Sequence, residues 1–156
     1  MAAAPGARAI ILAAGIGRRL GALTANRPKC LLPLGDETLL GRQLRLLSAV
    51  GISDIVVVVG FRQDRIASGF AGRITLCRNT DYLTMGSVHS LQVAAESLNG
   101  NVVILNSDLV FGRPMLDELL AANGAFTLVL HPGQRHTAGV GARVSGSALD
   151  LDAPRS

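Results

Sequence analysis

The sequence has few aromatic residues and no tryptophan. Four Phe and one Tyr make up the aromatic 3% of its 156 residues. Proteins that bind single-stranded nucleic acid stack bases on aromatic rings, so this scarcity argues against that class. Hydrophobic residues reach 49% and charged residues only 17%, which excludes a disordered chain. Aliphatic side chains must therefore build the core of a chain that is long enough for one domain.

Cysteines and long apolar runs are also scarce. Cys30 and Cys77 are too few for a disulfide framework and are predicted to be small hydrophobic residues in a reducing compartment. The apolar run at residues 9–17 is followed by Arg18 and Arg19, where a signal peptide needs a small-residue cleavage site. No run approaches the ~20 residues that cross a bilayer. We expect a cytoplasmic protein with no membrane partner.

Negative charge is missing from residues 1–35, which hold five basic side chains: Arg8, Arg18, Arg19, Arg27 and Lys29. The rest of the chain holds ten basic and eleven acidic groups, so the whole surplus of the +4 net charge lies in this segment. A diffuse basic surface suits nucleic acid, which we do not expect as a partner. A local basic loop suits one compact anion such as a triphosphate. An arginine-rich surface without a ligand explains the composition equally well.

Short β-rich runs alternate with helical patterns along the chain. The runs lie at Ala9–Ala14, Ile55–Val59, Ile74–Cys77, Val102–Asn106 and Thr127–Leu130. Ile55–Val59 is apolar throughout, which is typical of a strand covered on both faces in a parallel sheet. The helical patterns span Leu39–Val50, Ser87–Leu98 and Pro114–Asn123. This alternation predicts an α/β fold with a mostly parallel sheet, in which ligands bind at the strand ends.

Two of these predicted helices have residues typical of a helix start and a helix end. Thr38 is the predicted N-cap of the first helix, and Gly51 its stop. Pro114 suits the first turn of the last helix, and Gly124 is predicted to close it. Residues 131–156 lack a strong periodicity, and we predict only a strand near Val140–Val144 there.

The loop after the first strand, residues 12–35, combines glycines with cations. Gly15 and Gly17 form a turn and are followed by Arg18 and Arg19; Lys29 is the only lysine. Glycines let backbone N–H groups approach an anion, and arginines match phosphate oxygens. A compact ammonium suits a phosphorus centre at which charge builds up.

Two familiar phosphate-binding patterns do not fit this loop. A dinucleotide-binding GxGxxG loop needs a third glycine at position 20, but glycine comes one residue late, at Gly21. Pro28 also breaks the helix that such a loop should open. The GxxxxGK[ST] pattern of a P-loop is absent.

The same loop resembles the motif of the nucleoside-triphosphate transferases, the nucleotidyltransferase superfamily: LAAGxGxRLxxxTxxxPKxLxPL. Thirteen positions match: Leu12, Ala13, Ala14, Gly15, Gly17, Arg19, Leu20, Thr24, Pro28, Lys29, Leu31, Pro33 and Leu34. Molybdenum-cofactor guanylyltransferases have AGG and a shorter gap to the lysine, so they are less similar. Asn79–Ala94 and Val102–Leu120 resemble the phosphocholine cytidylyltransferase branch. Sugar-phosphate nucleotidyltransferases would more often show a GTA-like turn and a G-D or D-D pair.

The resemblance implies a three-layer Rossmann-like α/β fold with a mostly parallel central sheet. It implies one domain over 1–156, matched over 8–125 and poorly determined over 131–156. Family members usually continue further, with a second metal-binding aspartate, so we expect this domain to lack its C-terminal portion. A truncated or shifted reading, a degenerate copy, and a module completed by a partner stay open.

The activity implied is attack by a phosphomonoester oxygen on the α-phosphorus of a nucleoside triphosphate, with release of pyrophosphate. Lys29 would bind the α-phosphate, and Arg19, together with Arg18, the leaving phosphates. Asp108 would ligate Mg²⁺. The nucleotide-binding residues would be Leu12, Ala13, Ala14, Gly15, Gly17, Arg18, Gly86 and Ser87.

Structural alternatives exist for several of these residues. Arg18 also suits a solvated surface, Asp108 a turn or N-cap, and Gly86 and Ser87 a plain helix start. His89 has no partner at a suitable spacing and is predicted to be structural.

The expected partners are a nucleoside triphosphate, with CTP favoured, and a small phosphorylated acceptor such as phosphocholine. A choline group favours an aromatic cage, for which only Tyr82 and Phe111 are near. A sugar 1-phosphate as acceptor and a non-catalytic nucleotide-binding remnant are the alternatives. A further copy of the same chain, in a homo-oligomer, is the remaining alternative for a partner.

Overall fold

Two compact units make up the chain, Met1–Asn123 and Gly124–Ser156. The structure, a computed structural model, describes residues 6–122, 127 and 129, and the backbone of residues 141–145 and 148–152. In the first unit the strands are β1 (Arg8–Ala13), β2 (Pro33–Leu34), β3 (Glu37–Thr38), β4 (Asp54–Val59), β5 (Thr75–Arg78) and β6 (Val102–Asn106). Its α-helices are α1 (Leu39–Ala49), α2 (Gln63–Gly69), α3 (Ser87–Val93) and α4 (Arg113–Ala121).

A four-stranded parallel sheet with the order β5-β4-β1-β6 forms the centre of this unit. Leu12 on β1 pairs with Val58 on β4 and with Asn106 on β6, so the three strands end at nearly the same level. The sheet is the parallel one that the sequence predicts. β2 and β3 form a small antiparallel hairpin before α1.

The central strands are buried on both faces. Ile11 and Val57 belong to one core cluster, which also holds buried leucines of α1 and α4. Ile10 and Val58 belong to a second cluster on the opposite face, together with Ala94 after α3. Alternate residues of each strand therefore enter different layers, which confirms the predicted α/β architecture with helices on both sides of the sheet.

The predicted elements agree with the structure within a residue or two at most ends. The predicted helix Ser87–Leu98 is broken at Ala94 into α3 and a short 3₁₀ turn. α2 is not predicted from the sequence, because its seven residues bury only Ile66 and show too little periodicity. Thr127 and Val129 lie in no strand, so the strand predicted at Thr127–Leu130 is not confirmed; its other two residues and Gly124 lie outside the described part.

The second unit contains an antiparallel pair, β7 (Gly141–Ser145) and β8 (Ala148–Asp152). β7 agrees with the strand predicted near Val140–Val144, whereas β8 was not predicted. No helix within the described ranges has the length and apolar character needed to span a membrane.

α1 begins and ends as its sequence predicts. The Thr38 hydroxyl accepts a hydrogen bond from the Gly41 N–H at 3.0 Å, which satisfies one of the free donors of the first turn. After Val50 the chain turns at Gly51, whose φ of 85° is left-handed and favours glycine. α1 buries four leucines and, unusually, Gln43.

Replacing Thr38 by alanine is expected to lower the free energy of unfolding by about 1 kcal/mol, because the Gly41 N–H loses its acceptor. Thr38→Ser keeps the hydroxyl and is the matched control, for which we expect a change below about 0.5 kcal/mol. Urea denaturation followed by circular dichroism measures both. Equal destabilisation by the two substitutions would contradict the capping role.

Candidate functional site

The carboxyl ends of β1 and β6 open into a cavity of about 260 Å³. This is the sheet edge at which parallel α/β folds bind ligands. The lining residues come from the end of β1 and the loop after it, the start of α3, and the end of β6 and the turn after it: Leu12, Ala13, Gly15, Gly17, Arg19, Lys29, Ser87, Asn106, Ser107 and Asp108.

Gly17 shapes the loop after β1. Its φ of 69° is left-handed, and a Cβ there would lie 3.1 Å from the Thr24 side chain. Buried Thr24 donates a hydrogen bond to the Gly17 carbonyl oxygen at 3.0 Å. Nothing lies within 4 Å of a Cβ built on Gly15, so the backbone there is open to a ligand. Thr24 therefore fixes the turn, while Gly15 leaves its backbone accessible.

Lys29 begins a 3₁₀ turn, Lys29–Leu31, between the loop and the β2–β3 hairpin. Pro28 and Cys30 on either side are buried, which leaves the lysine side chain to extend towards the cavity. Its ammonium forms an ion pair with the Asp108 carboxylate, from a residue 79 positions away in sequence. The structure thus brings a cation and a carboxylate together at one end of the cavity.

Asp108 lies on a tight turn, residues 106–109, that continues β6. The Ser107 N–H donates to the Leu12 carbonyl oxygen at 3.2 Å, which extends the pairing with β1, and the Leu109 N–H donates to the Asn106 carbonyl oxygen at 3.3 Å. The turn is thereby joined to the end of β1. Its Asp108 side chain is partly exposed.

Eight of the residues predicted from the sequence line the cavity: Leu12, Ala13, Gly15, Gly17, Arg19, Lys29, Ser87 and Asp108. Ala14, Arg18 and Gly86 do not. Ala14 is buried, and its carbonyl oxygen accepts from the Phe61 N–H at 3.1 Å. Arg18 is exposed. Gly86 is the N-cap of α3, and its carbonyl oxygen accepts from the Ser90 N–H. The functional roles of all eleven residues stay predictions.

Two lining residues, Asn106 and Ser107, are not among those predicted from the sequence. Ser107 is buried, although it is polar. Polar residues that directly follow an apolar parallel strand reach the ligand-binding edge of the sheet, and this pattern in VVILNSD could have identified both.

The cavity offers oxygen donors of the kind that Mg²⁺ prefers. Asp108 supplies a carboxylate, and Asn106 and Ser107 add an amide and a hydroxyl. The described residues contain no group of three or more His, Cys, Asp or Glu suited to a metal. One carboxylate is nevertheless enough for Mg²⁺ that is shared with substrate phosphates and keeps several waters. The residues present fit such an ion better than a closed protein cage.

The two aromatic residues predicted to lie near a choline cage, Tyr82 and Phe111, are half-buried and pack against the core. The Tyr82 ring packs against Gly60, where a Cβ would lie 2.6 Å from its Cγ, and against the second core cluster. Phe111 packs against the first. Neither lines the cavity. His89 forms a 3.3 Å contact with Asp81, in line with a structural role.

Comparison with known proteins gives one family and several related enzymes. The family described as MobA-like NTP transferase domain matches residues 9–154. The CMP-5'-(3-aminopropyl)phosphonate synthase of Streptomyces rubellomurinus is 34% identical over 93% of this chain and 24% of its own length. The choline-phosphate cytidylyltransferase of Streptococcus pneumoniae is 31% identical over 72% of this chain and 49% of its own.

A solved structure of the CTP:phosphocholine cytidylyltransferase from Streptococcus pneumoniae aligns with a TM-score of 0.62 and 33% identity. It covers 65% of this chain and 45% of that one. The similarity confirms the Rossmann-like nucleotidyltransferase fold. The chain spans about a quarter to a half of the length of these relatives.

A buried thiol lies next to Lys29 in sequence. Burial raises the pKa of Cys30 to about 12, and a backbone hydrogen bond offsets this only in part. A thiol with such a pKa stays protonated at neutral pH and is neither a nucleophile nor a metal ligand. Cys30 is therefore a packing residue beneath the turn that carries Lys29, as the sequence analysis predicts.

In Cys77→Ser protein, which leaves Cys30 as the one thiol, we expect very slow alkylation by iodoacetamide at about pH 8.5. In the folded protein the pH has to rise towards the raised pKa of Cys30 before thiolate accumulates. In the unfolded protein the thiol ionises near its ordinary pKa. Mass spectrometry with and without urea measures the two rates. Equal rates in the folded and unfolded states would contradict the burial of Cys30.

Proposed function

The chain belongs to the family of MobA-like NTP transferase domains, and from this premise we propose that it transfers a cytidylyl group from CTP to a small phosphorylated or phosphonate acceptor. The observation that carries the proposal is the cavity at the ends of β1 and β6. There Asp108 meets the open glycine loop, Arg19 and Lys29, although it lies 79 positions beyond Lys29 in sequence. Related proteins named as cytidylyltransferases for choline phosphate and for 2-aminoethylphosphonate support this acceptor class.

The reaction joins two anions, so charge neutralisation and alignment account for most of the catalysis. An acceptor phosphate or phosphonate oxygen attacks the α-phosphorus and forms a new P–O bond. The bond from the α-phosphorus to the bridging oxygen breaks, and its electron pair leaves with pyrophosphate. The Lys29 ammonium neutralises charge at the α-phosphate. The Arg19 guanidinium holds the β- and γ-phosphates by paired hydrogen bonds.

Asp108, together with the oxygens of Asn106 and Ser107, would hold Mg²⁺ in this scheme. The ion would neutralise part of the triphosphate charge. In the structure Asp108 pairs with Lys29 instead. When substrate binds, the α-phosphate would replace Asp108 as the partner of Lys29, and Mg²⁺ would replace Lys29 as the partner of Asp108. Before substrate binds, the ion pair keeps both side chains at the cavity.

The acceptor of this proposal is defined by its phosphate or phosphonate group, with no choline requirement. Tyr82 and Phe111 pack against the core clusters, and the described lining of the cavity is polar or aliphatic. A primary ammonium, as in an aminoalkylphosphonate, does not require an aromatic cage, since carboxylate and carbonyl groups bind it equally well. A sugar 1-phosphate is the second acceptor class, because a 26% identical structural neighbour from Bacillus anthracis is assigned as a glucose-1-phosphate thymidylyltransferase.

With CTP, Mg²⁺ and a panel of acceptors, we expect the chain to release pyrophosphate with one acceptor class. The panel holds 2-aminoethylphosphonate, phosphocholine and glucose 1-phosphate. Lys29→Met and Asp108→Asn are expected to lower kcat by about 10²-fold or more, because each removes charge stabilisation at the reacting phosphates. A coupled pyrophosphate assay measures the rates.

Arg113→Met and Asp117→Asn are the matched controls, since these side chains form an exposed ion pair on α4, away from the cavity lining. Exposed ion pairs contribute about 0–1 kcal/mol to stability, so all four variants are expected to fold. Full activity in Asp108→Asn would contradict its assigned role. Absence of pyrophosphate release, with CTP still raising Tm, would identify a nucleotide-binding domain without catalysis.

A further inference from the structure

Gln43 is a polar residue in an apolar position. It lies on the buried face of α1 between Leu40 and Leu47 and is only 1% exposed. A buried amide needs hydrogen-bond partners, whereas another leucine would not. The Gln43 Oε1 has no partner among the described residues. Burial of an unpaired oxygen is unfavourable, which indicates that the Nε2 of the same amide makes hydrogen bonds that the structure needs.

The Nε2 of Gln43 is bonded to the turn on which Asp108 lies. The Gln43 Nε2 donates to the Asn106 carbonyl oxygen at 3.0 Å and to the Leu109 carbonyl oxygen at 2.9 Å. Both hydrogens of one amide group therefore join the two ends of residues 106–109. The opposite amide orientation would place an oxygen against two carbonyl oxygens, so the chemistry of the site determines which way the amide faces.

The same helix also holds the chain on either side. The adjacent Arg42 donates from Nη2 to the Phe111 carbonyl oxygen at 3.3 Å, which extends the attachment beyond the turn. At the start of α1, the Leu39 N–H donates to the Leu32 carbonyl oxygen at 3.1 Å, just after the 3₁₀ turn of Lys29. α1 is thus attached to both chain segments that meet in the Lys29–Asp108 pair.

We propose that Gln43 is a positioning residue that holds the 106–109 turn so that the Asp108 carboxylate faces the cavity. It acts through main-chain carbonyl groups and does not itself line the cavity. Its importance for catalysis rests on the proposed function, in which Asp108 binds Mg²⁺. Residues that orient a metal ligand from behind commonly change metal affinity or activity by about 10–100-fold when they are replaced.

The test compares Gln43→Met with Leu47→Met, a substitution at a buried position one turn further along α1. Methionine has a similar volume to glutamine but no N–H donor. In Gln43→Met we expect amide hydrogen exchange over residues 106–111 to accelerate by about 10-fold, with β4 unchanged. The Mg²⁺ concentration for half-maximal pyrophosphate release is expected to rise by about 10-fold, with kcat largely recovered at high Mg²⁺. Leu47→Met should show neither effect.

A shifted Mg²⁺ requirement separates positioning from general destabilisation, which would lower the amount of active protein at every Mg²⁺ concentration. Exchange and Mg²⁺ dependence that match those of Leu47→Met would overturn the proposal. If Gln43→Met does not fold, Gln43→Asn replaces it with the same expectations, because it keeps the amide but withdraws it by one methylene. If the unmodified chain releases no pyrophosphate, the proposed function fails, and the exchange rates alone decide whether Gln43 holds the turn.

Discussion

The parallel pairing of β1 with its neighbour β6 is the constraint on which the site depends. Leu12 lies opposite Asn106, and the Ser107 N–H continues the ladder to the Leu12 carbonyl oxygen. Because both strands run in the same direction, the glycine loop and the Asp108 turn emerge at the same edge of the sheet. A slip of one residue would turn each side chain of β6 to the other face and remove Asp108 from the cavity.

α1 acts as a second frame behind this edge. Its apolar face packs on the sheet, its first turn is bonded to the segment after Lys29, and Gln43 and Arg42 reach the chain after β6. The charged side chains of Lys29 and Asp108 at the cavity are themselves partly exposed, as charged groups must be if they are to exchange protein partners for substrate. Rigid, buried backbone attachments thus support polar groups that stay accessible, which is the arrangement that precise orientation of a reacting phosphate requires.

The described residues at the cavity are suited to the reaction that members of the family share, and not to the acceptors that distinguish one member from another. Lys29, Arg19, the open Gly15 backbone and Asp108 are suited to a triphosphate, the group that every nucleotidyl transfer shares. Nothing in this set selects the organic part of an acceptor. Tyr82 and Phe111 pack against the core and do not line the cavity, and the chain spans about a quarter to a half of the length of these relatives. The described residues therefore support the binding of a triphosphate more directly than the binding of any one acceptor.

Sequence alone determined the local features: the apolar strand 55–59, the Thr38 cap, and the loop whose spacing of glycines, Arg19 and Lys29 matches a known family. These depend on periodicity and on short-range hydrogen bonds, which neighbouring residues specify. Only the tertiary structure decided that Ser87 lines the cavity while Gly86 does not, that Tyr82 packs on Gly60, and that Gln43 bonds to the 106–109 turn. Such contacts join residues tens of positions apart, and they form only when strand register and helix packing bring those residues within the ~3 Å of a hydrogen bond.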